Sequence, residues 1–280
     1  MTKRLHPARC LITGSNGRLG QLLQRGWRGF AGPAPLWMAR RGAADILWSP
    51  GQPIPTLPPI GTVIALWGRT SGSAAELSQN VELVAHAEAL ARASGAVRVL
   101  HFSSAAIYGA GRDLDETACP APLNPYGHAK IAMEEAIAAL PRRAIRHCAL
   151  RLANVVGADS LAGALAPQEA PIILDRFADG HGPRRSYVAP GDLARILHTL
   201  AALPANALPA TLNVTGPVPI RMEDLARAAR RPVVWRDAPD SACQEVTLDA
   251  SRLAHLLPKL KLLRTAQEYI ADLHRLEFTR

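Results

Sequence analysis

The sequence predicts an α/β protein, a doubly wound parallel sheet carrying a small C-terminal lobe. Three observations support this. Short apolar runs alternate with helical patterns through the first two-thirds of the 280 residues, the order that gives parallel strands covered by helices on both faces. The first apolar run, Arg9-Cys10-Leu11-Ile12-Thr13, leads directly into Gly14-Ser15-Asn16-Gly17-Arg18-Leu19-Gly20, and Leu22, Leu23 and Trp27 continue at helical spacing. Far downstream, Tyr126 and Lys130 stand four places apart in Asn124-Pro125-Tyr126-Gly127-His128-Ala129-Lys130.

The elements follow in order. Residues 9–13 read as a buried strand. Gly14 permits a tight turn, Gly17 lets a pyrophosphate approach the backbone, and Gly20 lets the next helix pack close to the strand. That helix, over 18–27, offers unpaired N–H groups and a partial positive charge to phosphate. Further strands are expected at 35–39, at a short 45–48, and at 62–66, 97–102 and 147–152, with helices at 74–93 and 126–140. Between Trp48 and Gly61 stand Pro50, Pro53, Pro55, Pro58 and Pro59. They forbid a regular helix between the third and fourth strands, so an extended loop is expected there. Residues 1–155 are expected to form a dinucleotide-binding domain. Residues 156–280 mainly supply a substrate-binding lobe, with segments returning to the core.

Tyr126 and Lys130 carry the chemistry. The chain has four Tyr and four Lys, and chance would set a Tyr four places ahead of a Lys only about 0.06 times. With Pro125 opening a helix, both side chains leave one face a turn apart. An ammonium beside a phenol favours phenolate, so the Tyr126 pKa is expected to fall, making a proton donor and acceptor usable near neutral pH. His128 points away from that face, towards the surface. At the end of the second strand the chain reads Leu36-Trp37-Met38-Ala39-Arg40-Arg41, and its first acidic residue is Asp45. The carboxylate that would hydrogen-bond the adenosine ribose of NAD is therefore missing. Two guanidiniums there suit a 2′-phosphate, which favours NADP while leaving NAD possible.

Thr13-Gly14-x-x-Gly17-x-x-Gly20 together with Tyr126-x-x-x-Lys130 resembles the extended short-chain dehydrogenase/reductase family, the group of Rossmann-fold epimerases and dehydratases that includes UDP-galactose 4-epimerase and related sugar-nucleotide enzymes. Other segments extend the resemblance over nearly the whole chain. Ser103-Ser104-Ala105-Ala106-Ile107-Tyr108-Gly109 is similar to the family's segment after the fifth strand, and places the catalytic hydroxyl on Ser104 with Ser103 as the alternative. Asn80-Val81 resembles the start of the fourth helix, and Arg151-Leu152-Ala153-Asn154-Val155-Val156-Gly157 the Arg-x-x-Asn-Val-x-Gly segment. Arg185-Ser186-Tyr187-Val188, ahead of Asp192, resembles a substrate-domain signature. Leu212-Asn213-Val214 and Leu248-Asp249-Ala250-Ser251 match weaker landmarks.

The resemblance implies hydride transfer at a carbon bearing oxygen. Tyr126 would exchange the proton, Lys130 would hold the nicotinamide ribose and stabilise phenolate, and Ser104 would fix the reacting oxygen. It implies cofactor contacts from Gly14, Ser15, Asn16, Gly17, Arg18, Leu19, Gly20, Arg40, Arg41, Tyr126 and Lys130. Substrate contacts would come from Ser104, Asn154 and Arg185, the last as a diphosphate-binding arginine. Ala105-Ala106 replaces the Asp-Glu pair of family dehydratases and argues against dehydration. An epimerase that keeps its cofactor and a reductase that exchanges NADP(H) both stay open. So does a non-catalytic NADP sensor, although sensors of this fold typically lose the Tyr or Lys kept here. Ala189-Pro190 replaces a family His-Val, and Arg236 is the one weak candidate for a second phosphate arginine. A sugar-like substrate without a full nucleotide diphosphate therefore stays open too. Finally, 74–93 and 126–140 resemble the two helices that the family pairs across a two-fold axis, which implies a homodimer. Leu83, Leu90, Ile131 and Ile137 are their larger apolar residues.

Composition excludes other classes. The net charge of +9 is carried by arginine, in the doublets Arg40-Arg41, Arg142-Arg143, Arg184-Arg185 and Arg230-Arg231 rather than in a long run. With aromatics at 5% there is no stacking platform for bases, so no nucleic acid partner is expected. A hydrophobic share of 48% supports a sizeable core, while no apolar stretch reaches membrane-spanning length. Residues 1–7 are basic but lead into no signal-peptide apolar segment, so a cytoplasmic protein is expected. Cys10, Cys119, Cys148 and Cys243 show no paired spacing and read as reduced thiols. None of the nine histidines forms an i, i+4 pair, so no metal site is expected.

Overall fold

The computed structural model describes residues 9–141, 144–165 and 171–278; the basic 1–7 stretch and the Arg142-Arg143 doublet lie outside them. The first half of the chain runs β1 (Cys10–Thr13), α1 (Arg18–Gly26), β2 (Leu36–Ala39), β3 (Ile46–Leu47), β4 (Thr62–Ala65), α2 (Ala74–Ser94), β5 (Arg98–Ser104), β6 (Gly111–Leu114), α3 (Pro125–Ala138) and β7 (Arg146–Leu152). Six of these strands join a later one, Thr211–Val214, in a seven-stranded sheet of order Thr211–Val214, β7, β5, β4, β1, β2, β3. Every pairing in it is parallel. The strand order reverses between β1 and β4, which opens a crevice at their carboxyl ends.

Alternation along the strands builds a core on each face. Cys10 and Ile12 pack with Leu23, Trp27 and Leu197 on one side, while Leu11 packs with Ala87 and Leu90 on the other. The first side is covered by α1 and the helix Pro190–Ala202, which meet where a Cβ on Gly26 would lie 3.1 Å from the Ala194 Cβ. The second side is covered by α2 and α3. A reciprocal Ser73–Glu76 capping box starts α2, and Gly95, at φ +71°, ends it. Its neighbour α3 starts at Asn124, whose side chain accepts a hydrogen bond from the Gly127 amide, with Pro125 in its first turn.

The proline-rich span 50–59 holds no helix, as expected. It runs extended across the second face, where Ile54, Leu57 and Ile60 complete the apolar layer around Met38 and Val63. Trp48 anchors it, its indole N–H reaching the carbonyls of Gln52 at 3.2 Å and Pro53 at 3.1 Å.

The lobe is built from a four-stranded sheet of order Ile220–Arg221, Arg184–Arg185, Glu245–Leu248, β6, and from two small ribbons. Its own core gathers Leu225, Tyr269, Ile270 and Leu276. Here β6 leaves the first half of the chain and pairs with Glu245–Leu248, a pairing that no local pattern announces. Cys10 and Cys148 are buried, their thiols pushed up to about 12 by burial. Of the apolar residues expected at a two-fold contact, Leu90 and Ile137 point into the protomer's own core. Ile131 packs on the cluster around Ile107 and Tyr108, and Leu83 lines a cleft.

Candidate functional site

The crevice at the carboxyl ends of the central strands is a cleft of about 1390 Å³. Its floor is the turn after β1. Gly14 takes φ +70°, and a Cβ there would stand 3.0 Å from the Trp67 amide nitrogen in the turn after β4. A Cβ on Gly20 would lie 2.5 Å from the carbonyl oxygens of Gly14 and Ser15, so α1 sits directly on the turn. No acidic residue occupies the first turn of α1. A backbone this bare, at a helix N-terminus, fits a dinucleotide pyrophosphate. Gly14, Asn16, Gly17, Arg18, Leu19 and Gly20 all line the cleft. Ser15 does not: its hydroxyl is buried without a partner, and its amide donates to the Met38 carbonyl at 3.2 Å.

At the adenosine end, Arg40 and Arg41 are exposed, line the cleft and make no ion pair among the described residues. The loop they occupy is tied to the glycine turn by the Asn16 side-chain amide, which donates to the Arg41 carbonyl. Asp45 faces away, accepting the Trp37 amide at 2.8 Å.

Across the cleft, α3 brings Tyr126 and Lys130 to one face, with the Lys130 ammonium 5.7 Å from the centre of the Tyr126 ring. The Tyr126 hydroxyl lies beside the Ser104 side chain, whose Oγ accepts the Ala106 amide at 3.1 Å. Ser103 instead donates to Glu134 at 2.5 Å, and Glu134 pairs with Arg151 at 2.9 Å. Successive residues of a strand face opposite ways, so one serine meets the tyrosine and the other is held by the salt bridge. Lys130 is buried and donates to the Phe102 carbonyl at 2.7 Å. Burial draws its pKa down to about 8, with Glu134 pulling it back up. The expected fall in the Tyr126 pKa is not what the structure gives. Burial raises it, and the Ser104 hydrogen bond only partly offsets the rise. The ammonium lies over the ring, and desolvation of the phenol is the larger effect. His128 is exposed, as expected.

Asn154 and Arg185 also line the cleft. The Arg185 guanidinium, however, donates to the carbonyls of Arg184, Gln244 and Cys243 at 2.9, 2.7 and 2.6 Å. Arg236 lies on the ribbon between Ile172–Arg176 and Val233–Asp237, 2.5 Å from Asp175, and is not among the lining residues; its candidacy as a phosphate ligand fails on position.

Two features escaped the sequence reading. Asn80, noted only as a landmark, is buried and clamps the Gly68–Arg69 turn beside Lys130. Its Oδ1 accepts the Arg69 amide at 2.9 Å, and its Nδ2 donates to the carbonyls of Arg69 and Leu77 at 3.0 and 2.9 Å. His101 and His147, far apart in sequence, meet across β5 and β7 with ring nitrogens 3.0 Å apart. His147 reaches Glu88 at 2.9 Å. Burial, with His147 and Lys130 nearby, brings the His101 pKa down to about 3. No group of three or more metal-ligating side chains occurs among the described residues.

The family model for the NAD dependent epimerase/dehydratase family matches residues 60–215. No curated protein matches the sequence. Solved structures do. One is an NAD-dependent NDP-hexosamine 5,6-dehydratase, TunA, involved in tunicamycin biosynthesis, at 20% identity over 98% of this chain and 99% of that one, with a TM-score of 0.78. Another is MoeE5 in complex with UDP-glucuronic acid and NAD, at 21% identity, 94% and 97% coverage and a TM-score of 0.76. A third is the UDP-N-acetylglucosamine 4-epimerase of Bacillus cereus, at 14% identity, 95% and 99% coverage and a TM-score of 0.76. These likenesses establish the shared fold.

The clamp made by Asn80 gives a test of the cleft's framework. Asn80→Ala leaves the Arg69 amide and two carbonyls without their partner, at a cost of about 1–3 kcal/mol, read by chemical denaturation. The same variant loses dinucleotide affinity because the turn beside Lys130 is released. Unchanged stability and unchanged affinity together would show that the clamp holds nothing of consequence.

Proposed function

The chain belongs to the NAD dependent epimerase/dehydratase family, and on that premise we propose that it transfers hydride at a carbinol or carbonyl carbon of a sugar-nucleotide-like substrate. The observation that carries this reading is the contact between the Ser104 and Tyr126 hydroxyls, with Lys130 beside them and the glycine turn opposite, in one cleft. The glycine turn and Lys130 would hold the dinucleotide, which when bound supplies or accepts the hydride.

The protein's own groups handle the proton. Ser104 holds the reacting oxygen against Tyr126. A phenol whose pKa burial has raised stays protonated at neutral pH and serves as the acid in reduction. Lys130 keeps its charge below about pH 8 and stabilises the phenolate left behind; above that pH the charge is lost and reduction slows. No carboxylate follows Ser104, since Ala105 and Ala106 line the cleft there, which disfavours elimination. Epimerisation and reduction differ in whether oxidised cofactor is retained between turnovers.

Tyr126→Phe removes the proton donor and keeps the ring. In assays with NADPH and keto-sugars, alongside mass analysis of any cofactor carried through purification, its turnover falls about 10²–10⁴-fold with dinucleotide affinity nearly unchanged. A variant keeping more than a tenth of wild-type turnover would remove Tyr126 from the mechanism.

Arg40 and Arg41 place NADP ahead of NAD in this reading. Replacing both by Ala weakens NADPH far more than NADH, by about 1.5–3 kcal/mol for each charged hydrogen bond lost, in parallel fluorescence titrations. Equal losses for the two cofactors would mean the arginines never meet a 2′-phosphate.

A homodimer through α2 and α3 belongs to the same proposal, with alanines as the closely approaching residues. Light scattering across a dilution series then gives a mass near twice the 29.9 kDa protomer. A mass staying at the protomer value at micromolar protein rejects the pairing.

A further inference from the structure

We propose that Glu134 is a positioning residue of the site: clamped by Ser103 and Arg151, its carboxylate serves as the counter-ion of Lys130. This deepens the proposed function and rests on the part given there to Lys130.

Lys130 is a buried cation that makes no ion pair among the described residues. Its ammonium donates to the Phe102 carbonyl at 2.7 Å and reaches the Met133 Sδ at 3.5 Å. Neither partner is charged, and a buried charge without a counter-charge is costly.

The next turn of α3 supplies the opposite charge. Glu134 follows Lys130 by four residues, so both side chains leave one face of the helix. The two dock on consecutive residues of β5. Lys130 bonds the Phe102 carbonyl, and the Ser103 hydroxyl donates to Glu134 at 2.5 Å. The Glu134 side chain is 13% exposed and cannot turn away. Arg151 grips both carboxylate oxygens, with its Nε 3.2 Å from each and its Nη2 2.9 Å from one. That arginine is itself fixed, its Nη1 donating to the Tyr108 hydroxyl at 2.9 Å and the Glu116 carbonyl at 3.1 Å. One carboxylate therefore answers two cations, bonding Arg151 and acting on Lys130 through space.

The other charged and titratable groups around Lys130 do not take over this role. Tyr126, on the same helix, has its ring centre 5.7 Å from the ammonium and a pKa raised by burial, so it is neutral. His101, on β5, is uncharged above about pH 3 and meets His147. Cys148, on β7, is a buried thiol pushed up to about 12. Glu88, on α2, is engaged by His147 at 2.9 Å and Arg92 at 2.5 Å. Arg69, in the turn after β4, is exposed and paired with Glu76 at 2.9 Å. Glu82 and His86, also on α2, line the cleft, the former exposed to solvent. Burial draws the Lys130 pKa down to about 8, and the opposing pull comes from Glu134.

Glu134→Gln keeps the shape and an acceptor for Ser103 but removes the charge. An opposite charge favours the ammonium, so its loss lowers the Lys130 midpoint, by about one pH unit. A residue that merely bolted α3 to β5 would act the other way, because loosening admits water and lets the midpoint rise. The chain has four lysines, so carbon-13 labelling of lysine at Cε follows Lys130 by NMR without cofactor or substrate, its signal assigned with Lys130→Arg. The midpoint is expected near pH 8 in wild type and about one unit lower in Glu134→Gln. Ser103→Ala, which keeps both charges, leaves it in place. A midpoint unchanged or raised in Glu134→Gln overturns the proposal, as does an equal fall in Ser103→Ala. Where Glu134→Gln fails to fold because Arg151 is left buried and unpaired, Glu134→Gln with Arg151→Met removes both charges of the pair and is judged by the same fall. Turnover of NADPH with keto-sugars separates this from the proposed function. There the alkaline fall in rate moves to lower pH with the midpoint. A midpoint that moves while the rate profile stays put removes Lys130 from the mechanism, and Glu134 with it. An unmoved midpoint overturns the role of Glu134 alone.

Discussion

The cleft depends on how closely α3 can approach the chain that leaves β5, and that distance is set at Gly127. A Cβ there would stand 2.4 Å from the Ala106 carbonyl oxygen and 2.6 Å from the Pro122 Cβ. With nothing at 127, the residue before it reaches Ser104 and the residue three places on reaches the Phe102 carbonyl. One turn later Glu134 ties the same helix to Ser103 and Arg151. The helix is thus latched to both faces of the β5 terminus, and the reactive groups need no flexible linker to meet. The closeness has an electrostatic consequence: burial raises the Tyr126 pKa and lowers that of Lys130, so the pair is poised by desolvation more than by mutual attraction.

Much of this was legible because it is local. Short apolar runs and helical patterns placed six of the seven sheet strands and three helices within a few residues. Five prolines told of the missing helix, because proline acts on its own stretch of backbone. The glycine spacing and the Tyr126–Lys130 spacing located the cleft's two walls. What the sequence hid is long-range. The β6 strand pairs with residues more than a hundred positions on, and Asp113 within it takes φ +48°, which no strand pattern announces. His101 and His147 meet only because β5 and β7 are neighbours. The direction of the Tyr126 shift needed the burial of the phenol, a quantity that spacing does not contain.

Arg185 shows the same limit at the other end of the cleft, and bears on what the substrate brings. A guanidinium has five N–H donors. Three of them go to the carbonyls of Arg184, Gln244 and Cys243, leaving two for a ligand. Burial lowers its pKa, so this arginine is a part of the lobe's framework as well as a cleft residue. Arg40 and Arg41, by contrast, are exposed and make no ion pair among the described residues. The phosphate-binding capacity of the cleft is therefore weighted towards the adenosine end. Under the proposed function, recognition at the substrate end falls on fewer cationic donors and on Asn154, a set that discriminates by hydrogen-bond pattern more than by charge.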